Sequence, residues 1–329
     1  MEASDYFEDD GKPILDGKSV TTREPLVSVV VPAYNAASTV ERALASIWCQ
    51  QVPLEAIIVD DGSTDDTRRV VEQVGTTDMR LLSLEQNSGA AEARNRAIRL
   101  ARGRYVAFLD ADDEWLPGKL ERQVEVLETC PGCSLVSCDV VVQWLDGRRT
   151  NYHDTVRVTE GNQAWKALLR GNFIPTPTVM VRRADLLRLG GFNRSLPYAE
   201  DLDLWIRLAL EGEVRVLPMP LAVVHELSNS LTKRVAFADL HHTLPMVESH
   251  VSSLASRLTS AERRAILGAR YFGIGYQMFP YGEYGVAKRL FAASIRCRYR
   301  VMKSAYYLTR SVGPFRPRHP KNAPRVASG

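Results

Sequence analysis

The chain contains no long hydrophobic run. None of its 329 residues falls in a stretch approaching the ~18 consecutive apolar positions of a membrane-spanning helix, so no bilayer-spanning segment is expected. The first 24 residues are polar and acidic, without the basic and apolar stretches of a signal peptide, and are expected to form a disordered leader. Cysteine is scarce. Five residues, an odd number without framework spacing, exclude a disulfide scaffold and suit a reducing cytoplasm. Cys130 and Cys133 form a C-x-x-C with Cys138 nearby, but a zinc site needs a fourth ligand and only His153 is close in sequence. These are therefore read as thiols without metal. The net charge of +3 is too small for a dedicated nucleic-acid binder. Neither G-x-G-x-x-G nor G-x-x-x-x-G-K-[ST] occurs, which removes dinucleotide-dependent dehydrogenases and P-loop enzymes. Acid is missing from one end. No Asp or Glu follows Glu283, while Arg296, Arg298, Arg300, Lys303, Arg310, Arg316, Arg318, Lys321 and Arg325 crowd that region.

What is present is the composition of a globular protein, 45% apolar and 25% charged, long enough for one large domain and an appendage. The most informative stretch is GRYVAFLDADD at 103–113. An apolar, β-prone run, Tyr105 to Leu109, empties into Asp110, Asp112 and Asp113. Short apolar strands of this kind belong in a buried parallel sheet, whose ligands sit beyond the carboxyl ends of the strands. Three neighbouring acids repel one another unless a cation or water relieves them, and hard Mg²⁺ or Mn²⁺ ions take carboxylate oxygens while leaving places for phosphate oxygens. A solvated acidic turn is the competing reading.

The rest of the chain builds a frame for that edge. LVSVVVP reads as a strand from Leu26, followed by a helix over 38–50 whose start is marked by a Ser38–Glu41 capping box. A second strand, 56–59, runs into Asp60, Asp61 and Gly62. Ser63 and Thr64 are then positioned to cap a helix through 74. A third strand at 80–84, a polar turn at 86–89 and an alanine- and arginine-rich helix to about 102 complete an alternating pattern. That pattern predicts an open, doubly wound α/β sheet, with the strands at 27–31, 56–59 and 105–109 sharing one functional edge. Pro117 is placed in the first turn of a further helix, Cys133 to Trp144 in a strand, and Asp146-Gly147 in a hairpin turn. NFIPTPTVMVRR should give a loop and then an edge strand. A helix follows from Glu200, then two closing strands at 214–217 and 221–224 and His225. Helices alone are expected at 236–257, 260–279, 284–297 and 298–311, and a disordered basic tail at 312–329.

Five segments occur in fixed order: VSVVVPAYN (27–35), IIVDDGSTDDT (57–67), NSGAAEARNRAI (87–98), FLDADD (108–113) and AEDLDLW (199–205). Together they resemble the family 2 glycosyltransferases, inverting nucleotide-sugar-dependent enzymes of the GT-A fold. The resemblance covers about 26–235 and implies a GT-A domain at 25–235 with a helical region at 236–311 outside it. It implies that Pro32, Ala33, Tyr34 and Asn35 meet the base and ribose of the donor. Asp61 would take the base's ring N–H, favouring a UDP-sugar, with dTDP second. Arg94 would lie near the nucleotide, a solvated helix face being its alternative. Asp110, followed by Ala111, would approach the ribose, and Asp112 would ligate Mn²⁺ or Mg²⁺ with Asp113 in support. Asp201 would be the general base, beside Glu200; Trp205 would pack behind it or wall the acceptor. His225 would complete the metal shell or meet the diphosphate, unless it is merely structural.

The same resemblance makes the acceptor a cell-surface glycan, either free or linked to lipid. The basic helices would then lie against the inner face of a membrane in a cytoplasmic, peripheral enzyme; a plain solvated face is the alternative. Processive relatives carry transmembrane helices and a Q-x-x-R-W motif that are not found here, so a single-addition transferase is expected. Two rivals remain at this point. One is a GT-A-like binding protein without turnover. The other is a sugar nucleotidyltransferase, which should carry a glycine-rich basic loop where this chain has PAYNAAS.

Overall fold

The computed structural model describes residues 24–225 and 231–311. The leader up to 23, residues 226–230 and the tail from 312 with Arg316, Arg318, Lys321 and Arg325 lie outside them. The described chain divides into two compact units. One runs through Trp165 and resumes at Phe173; the other takes Lys166–Asn172 and the helices from Leu231 onward.

The first unit opens with β1 (Val27–Ala33), α1 (Val40–Ile47), β2 (Leu54–Asp60), α2 (Thr67–Val74), β3 (Met79–Ser83), α3 (Ala90–Leu100) and β4 (Tyr105–Phe108). It continues with β5 (Glu114–Trp115), α4 (Lys119–Thr129), β6 (Cys133–Gln143), β7 (Arg149–Asn151) and α5 (Ala164–Arg170). Last come β8 (Met180–Arg182), α6 (Arg183–Arg188), α7 (Glu200–Glu211) and β9 (Glu213–His225). Among the described residues the strands form one mixed sheet in the order β3-β2-β1-β4-β8-β6-β9-β5, with β7 on β6. β3, β2, β1 and β4 are parallel. Their register sets Ala33 beside Asp60 and Val30 beside Phe108, so the loops after β1, β2 and β4 emerge at one edge.

β1 is buried almost throughout because helices cover both faces of a parallel sheet. Val27, Val29 and Val31 pack with Val40, Leu44 and Ile47 of α1 and Val71 of α2 in one core. Each fully buried Val, Leu or Ile contributes about 1.5–3 kcal/mol relative to exposure. The expected mixed α/β sheet is what forms.

Several local expectations need correction. β8 is not an edge strand; it lies between β4 and β6. Pro175 and Pro177 are confined to the 3₁₀ turn before it, so no ladder donor is lost. The two closing strands are one, β9, running beside β6 with register shifts around Asp139, which pairs with Pro220. A bulge lets that proline sit in a strand. No capping box forms at Ser38 and Glu41. α1 starts after Thr39, whose hydroxyl donates to the Ala36 carbonyl. α2 begins at Thr67, where Asp65 accepts from the Thr67 N–H, while Ser63 and Thr64 turn to Asn35. Pro117 precedes the cap residue Gly118 rather than entering the first turn of α4.

The second unit contains α8 (Leu231–Ala238), a π turn at Asp239–Thr243, α9 (Leu244–Ser253), α10 (Ser260–Met278), α11 (Tyr284–Arg296) and α12 (Val301–Arg310). Thr259 and Glu262 form a reciprocal capping box at the start of α10. Phe272, Met278, Phe279, Leu290 and Phe291 make its core. Arg270 is buried and donates to the carbonyls of Leu168 and Leu169, which end α5 and lack helical partners of their own.

Candidate active site

The first loop is held open by its own polar groups. Asn35 adopts a left-handed backbone (φ 49°), its N–H donates to Ser63 Oγ at 3.0 Å and its Oδ1 accepts from the Thr64 N–H at 2.9 Å. This zips the loop after β1 to the loop after β2 and leaves Tyr34 exposed, with Pro32 half-buried beside it. Ala33 is buried at the end of β1, and its carbonyl accepts from the Asp61 N–H.

Asp61 is buried. Its two carboxylate oxygens accept from the N–H groups of Ser88 and Gly89, both at 2.8 Å. Each oxygen keeps a further lone pair for a ligand N–H. Gly62, at φ +70°, passes so close to the 86–87 backbone that a Cβ would lie 2.6 Å from the Gln86 carbonyl carbon. Only glycine lets the two loops meet there.

The acids after β4 form a tight turn, with the Asp113 N–H donating to the Asp110 carbonyl. Burial, followed by the charge of Asp110, pushes the Asp112 carboxyl up; burial, then Asp112 and Asp110, pushes Asp113 well up. Arg42 of α1 donates to the Asp112 carbonyl oxygen, and its charge opposes both rises. His225 ends β9 with its N–H on Asp113 Oδ1 at 3.1 Å and its Nε2 2.9 Å from Glu114 Oε1. The imidazole thus already has a carboxylate partner. Crowded oxygen donors held above their usual pKa are a good match to a hard divalent cation, which would relieve their repulsion. Among the described residues no three His, Cys, Asp or Glu side chains are grouped to hold an ion unaided. A cation here would therefore need oxygens from a ligand, such as a diphosphate.

Opposite these acids, α7 opens after Ala199, itself left-handed at φ 61°. Asp201 is partly buried at its first turn. Its Oδ1 accepts from the Leu202 N–H at 2.6 Å and its Oδ2 from the Thr176 hydroxyl at 3.3 Å. Burial and then the neighbouring Glu200 charge raise the Asp201 carboxyl to about 6. Arg94 joins the two sides. Its Nη2 donates to Asp110 Oδ1 and its Nη1 to Glu200 Oε1, each at 2.7 Å, with the guanidinium over Phe192 at 5.3 Å. Burial would lower its pKa, but the Asp110 and Glu200 charges more than offset that and raise it. Arg94 is therefore no solvated helix face.

The structure thus brings Asp61 and the 33–35 loop to one end of the edge and collects Asp110, Asp112, Asp113 and His225 at the middle. Arg94 links Asp110 to the α7 start that carries Glu200 and Asp201. Ala111 is buried in the core. Trp205 is fully buried against Phe108 and Phe192, at 5.7 and 5.9 Å, and so is a core residue of α7 that walls no open surface. Sequence reasoning missed Arg42, Glu114, Thr176 and the loop donors Ser88 and Gly89. A threonine between two prolines was the one available signal for Thr176; a lone cation on α1 carried none for Arg42.

A model of glycosyl transferase family 2 matches residues 28–189. The chain is 38% identical over 197 residues to the putative teichuronic acid biosynthesis glycosyltransferase TuaG of Bacillus subtilis, covering 59% of this chain and 75% of that one. It is 26% identical over 256 residues to WfgD of Escherichia coli, a UDP-Glc:alpha-D-GlcNAc-diphosphoundecaprenol beta-1,3-glucosyltransferase, covering 77% and 97%. Among solved structures, the mannosyltransferase PcManGT of Pyrobaculum calidifontis, in complex with GDP-Man and Mn²⁺, shares the fold at a TM-score of 0.58. Identity there is 22%, over 95% of this chain and 87% of that one. The GT-A-type sheet, the motifs at its edge and a 38% identical relative matched over three quarters of its length agree: the chain belongs to glycosyl transferase family 2 and is a glycosyltransferase.

Proposed function

We propose that this glycosyltransferase moves a single sugar from a UDP-sugar to an acceptor hydroxyl with inversion at the anomeric carbon. The observation that carries the reading is the Arg94 bridge, which ties Asp110 on the donor side to Glu200 beside Asp201. It holds the donor acids beside the helix start that carries a separate carboxylate, and single displacement needs such a group to take the acceptor's proton. The acceptor oxygen attacks the anomeric carbon and its proton passes to Asp201. The bond to the diphosphate breaks on the opposite face, and its electron pair leaves with the diphosphate. A carboxylate raised to about 6 remains ionised at neutral pH yet binds a proton more readily than an ordinary aspartate.

Asp61, at the base end, offers the acceptor oxygens that a uracil N–H can meet, with Pro32, Ala33, Tyr34 and Asn35 beside the base and ribose and Asp110 toward the ribose. Asp112, supported by Asp113 and with His225 adjacent, would hold Mn²⁺ or Mg²⁺. Such an ion supplies neutralisation of the charge that develops on the departing diphosphate. The acceptor is a cell-surface glycan, and a lipid-linked one is favoured by the likeness to WfgD, whose name specifies a diphosphoundecaprenol acceptor. That acceptor would bring the enzyme to a membrane as a peripheral protein, through its basic C-terminal region. No helix among the described residues is long and apolar enough to cross one.

The test is UDP release from a panel of UDP-sugars with Mn²⁺ or Mg²⁺, with the anomeric configuration of the product read by NMR. Turnover with inversion, abolished in Asp112→Ala and Asp201→Asn, is the expected result. Retention of configuration would overturn the mechanism. Donor binding without turnover on any donor or acceptor would favour a binding protein, and synthesis of a nucleotide-sugar from a triphosphate would favour a nucleotidyltransferase.

A further inference from the structure

α12 has two faces of opposite character. Ser304 and Ser311 are buried, and Tyr307 stacks on Phe291 with ring centroids 5.3 Å apart, which fixes the inner face on α11 and α10. The outer face carries Met302, 83% exposed, and Tyr306, 52% exposed, one turn apart, with Val301 beside them at 42%. Among the described residues only Tyr34, Leu145 and Met219 are other large apolar side chains so exposed. Half of that set thus sits on one ten-residue helix. Scattered exposed apolar residues need no explanation, but a cluster rimmed by charge marks an interaction surface.

The charge of this stretch is of one sign. Arg296 at the end of α11, Arg298 and Arg300 in the turn before α12, and Lys303 on α12 are exposed. Arg310 lies over the Tyr306 ring at 5.5 Å, and no Asp or Glu follows Glu283 anywhere in the chain. Arg298 and Arg300 hold left-handed backbone (φ 58° and 41°) in the turn that leads from α11 into α12. The Arg300 guanidinium lies over Phe272 at 5.1 Å. A second copy would meet this surface cation to cation, since a two-fold contact sets the same patch against itself. A nucleic acid would be served by the cations but not by an 83% exposed methionine. An anionic lipid surface takes both features, apolar side chains in the interface and cations at the head groups.

We infer that the outer face of α12 docks the protein on an anionic lipid surface, with Met302 and Tyr306 entering the interface. This deepens the peripheral-contact part of the function proposed above. It does not depend on the donor chemistry.

The test is co-sedimentation of the full chain with vesicles of phosphatidylcholine alone and of phosphatidylcholine mixed with phosphatidylglycerol, at low and high salt. Binding to the anionic vesicles only, weakened by salt, is expected. Met302→Glu/Tyr306→Glu should lower that binding at least about tenfold, and Lys303→Glu roughly fivefold or more, the loss expected for one basic residue near the surface. Met302→Trp should strengthen it, because tryptophan favours the interface. Met302 and Lys303 are exposed, whereas Tyr306 also packs edge-on against Tyr307 at 5.2 Å and under Arg310. Donor hydrolysis in water should therefore not change in any variant, and melting temperature should not change in Met302→Glu or Lys303→Glu alone. Wild-type protein that hydrolyses donor but binds neither vesicle would overturn the docking inference alone. Binding that survives the double variant would assign the contact to other cations and overturn the proposal. Absence of binding to either vesicle would overturn it too, as would a dimer in sedimentation velocity that Met302→Glu dissolves.

Discussion

Arg94→Met removes the charge at the centre of the site while keeping most of the apolar stem. The guanidinium is nearly buried and makes 2.7 Å bonds to Asp110 and Glu200, so its loss leaves two carboxylates without their cation. Breaking a buried pair costs about 3–5 kcal/mol. The Asp110 and Glu200 side chains keep 27% and 15% exposure, which lets water take part of the load, so about 3 kcal/mol is the better figure. At roughly 2–4 °C per kcal/mol for a domain of this size, the melting temperature should fall by about 6–12 °C. A second effect acts on catalysis. Arg94 is among the charges holding the Asp201 carboxyl down at about 6. Without it that carboxyl should rise further above its ordinary value. The acid limb of kcat should therefore move to higher pH, read as UDP release against pH. Arg94→Lys keeps the charge as a single point that reaches one carboxylate, so it should restore the limb and only part of the melting temperature. A folded Arg94→Met enzyme whose limb stays at the wild-type position would refute the coupling and reduce the bridge to packing.

Asp201→Asn should retain donor binding and lose about 10²–10⁴-fold in turnover, measured at saturating donor. Its stability effect has a sign. The folded pKa of about 6 lies above the ordinary 3.8, so this carboxyl's favourable term is complete below pH 3.8 and is lost as pH rises through 6. The permanently neutral variant should therefore melt higher than wild type at pH 8 and not at pH 4. Gly62→Ala should cost about 1–3 kcal/mol and weaken nucleotide affinity, because the new Cβ pushes away the loop whose N–H groups hold Asp61; calorimetry with UDP measures both. Lys119 is buried, bonds Gln123 at 2.8 Å and faces Trp115, and burial lowers it to about 8. Its favourable term exists at high pH and is lost as pH falls through 8, so Lys119→Met should stabilise the protein by about 1–2 kcal/mol at pH 7 and little at pH 10.5, by urea unfolding.

The sheet could be read because a parallel strand covered on both faces is a continuous apolar run, as in VSVVVPA. The acids could be read because carboxylates at a strand end have no place in a core. β8 was misplaced because three residues carry no record of which strands they join. Pro218 and Pro220 split β9 in the sequence, whereas the fold absorbs Pro220 at a bulge that no local pattern announces. Arg94 sat among four arginines on a helix and looked interchangeable with them. It shares the 91–94–98 spacing of buried Ala91 and Ile98, whereas Arg96, Arg99 and Arg102 do not, and that spacing was the available clue. Which carboxylates it would meet depended on α7, more than a hundred residues away in sequence.

The most direct measurement is thermal stabilisation by UDP, dTDP, GDP and ADP, each with and without Mn²⁺, for wild type and Asp112→Ala. A ligand bound only by the native state raises the melting temperature with its concentration and affinity. A shift selective for UDP, dependent on Mn²⁺ and lost in Asp112→Ala, is predicted by a uracil end at Asp61 and a metal-held diphosphate at Asp112. A larger shift with GDP, or one indifferent to both Mn²⁺ and Asp112→Ala, would contradict it.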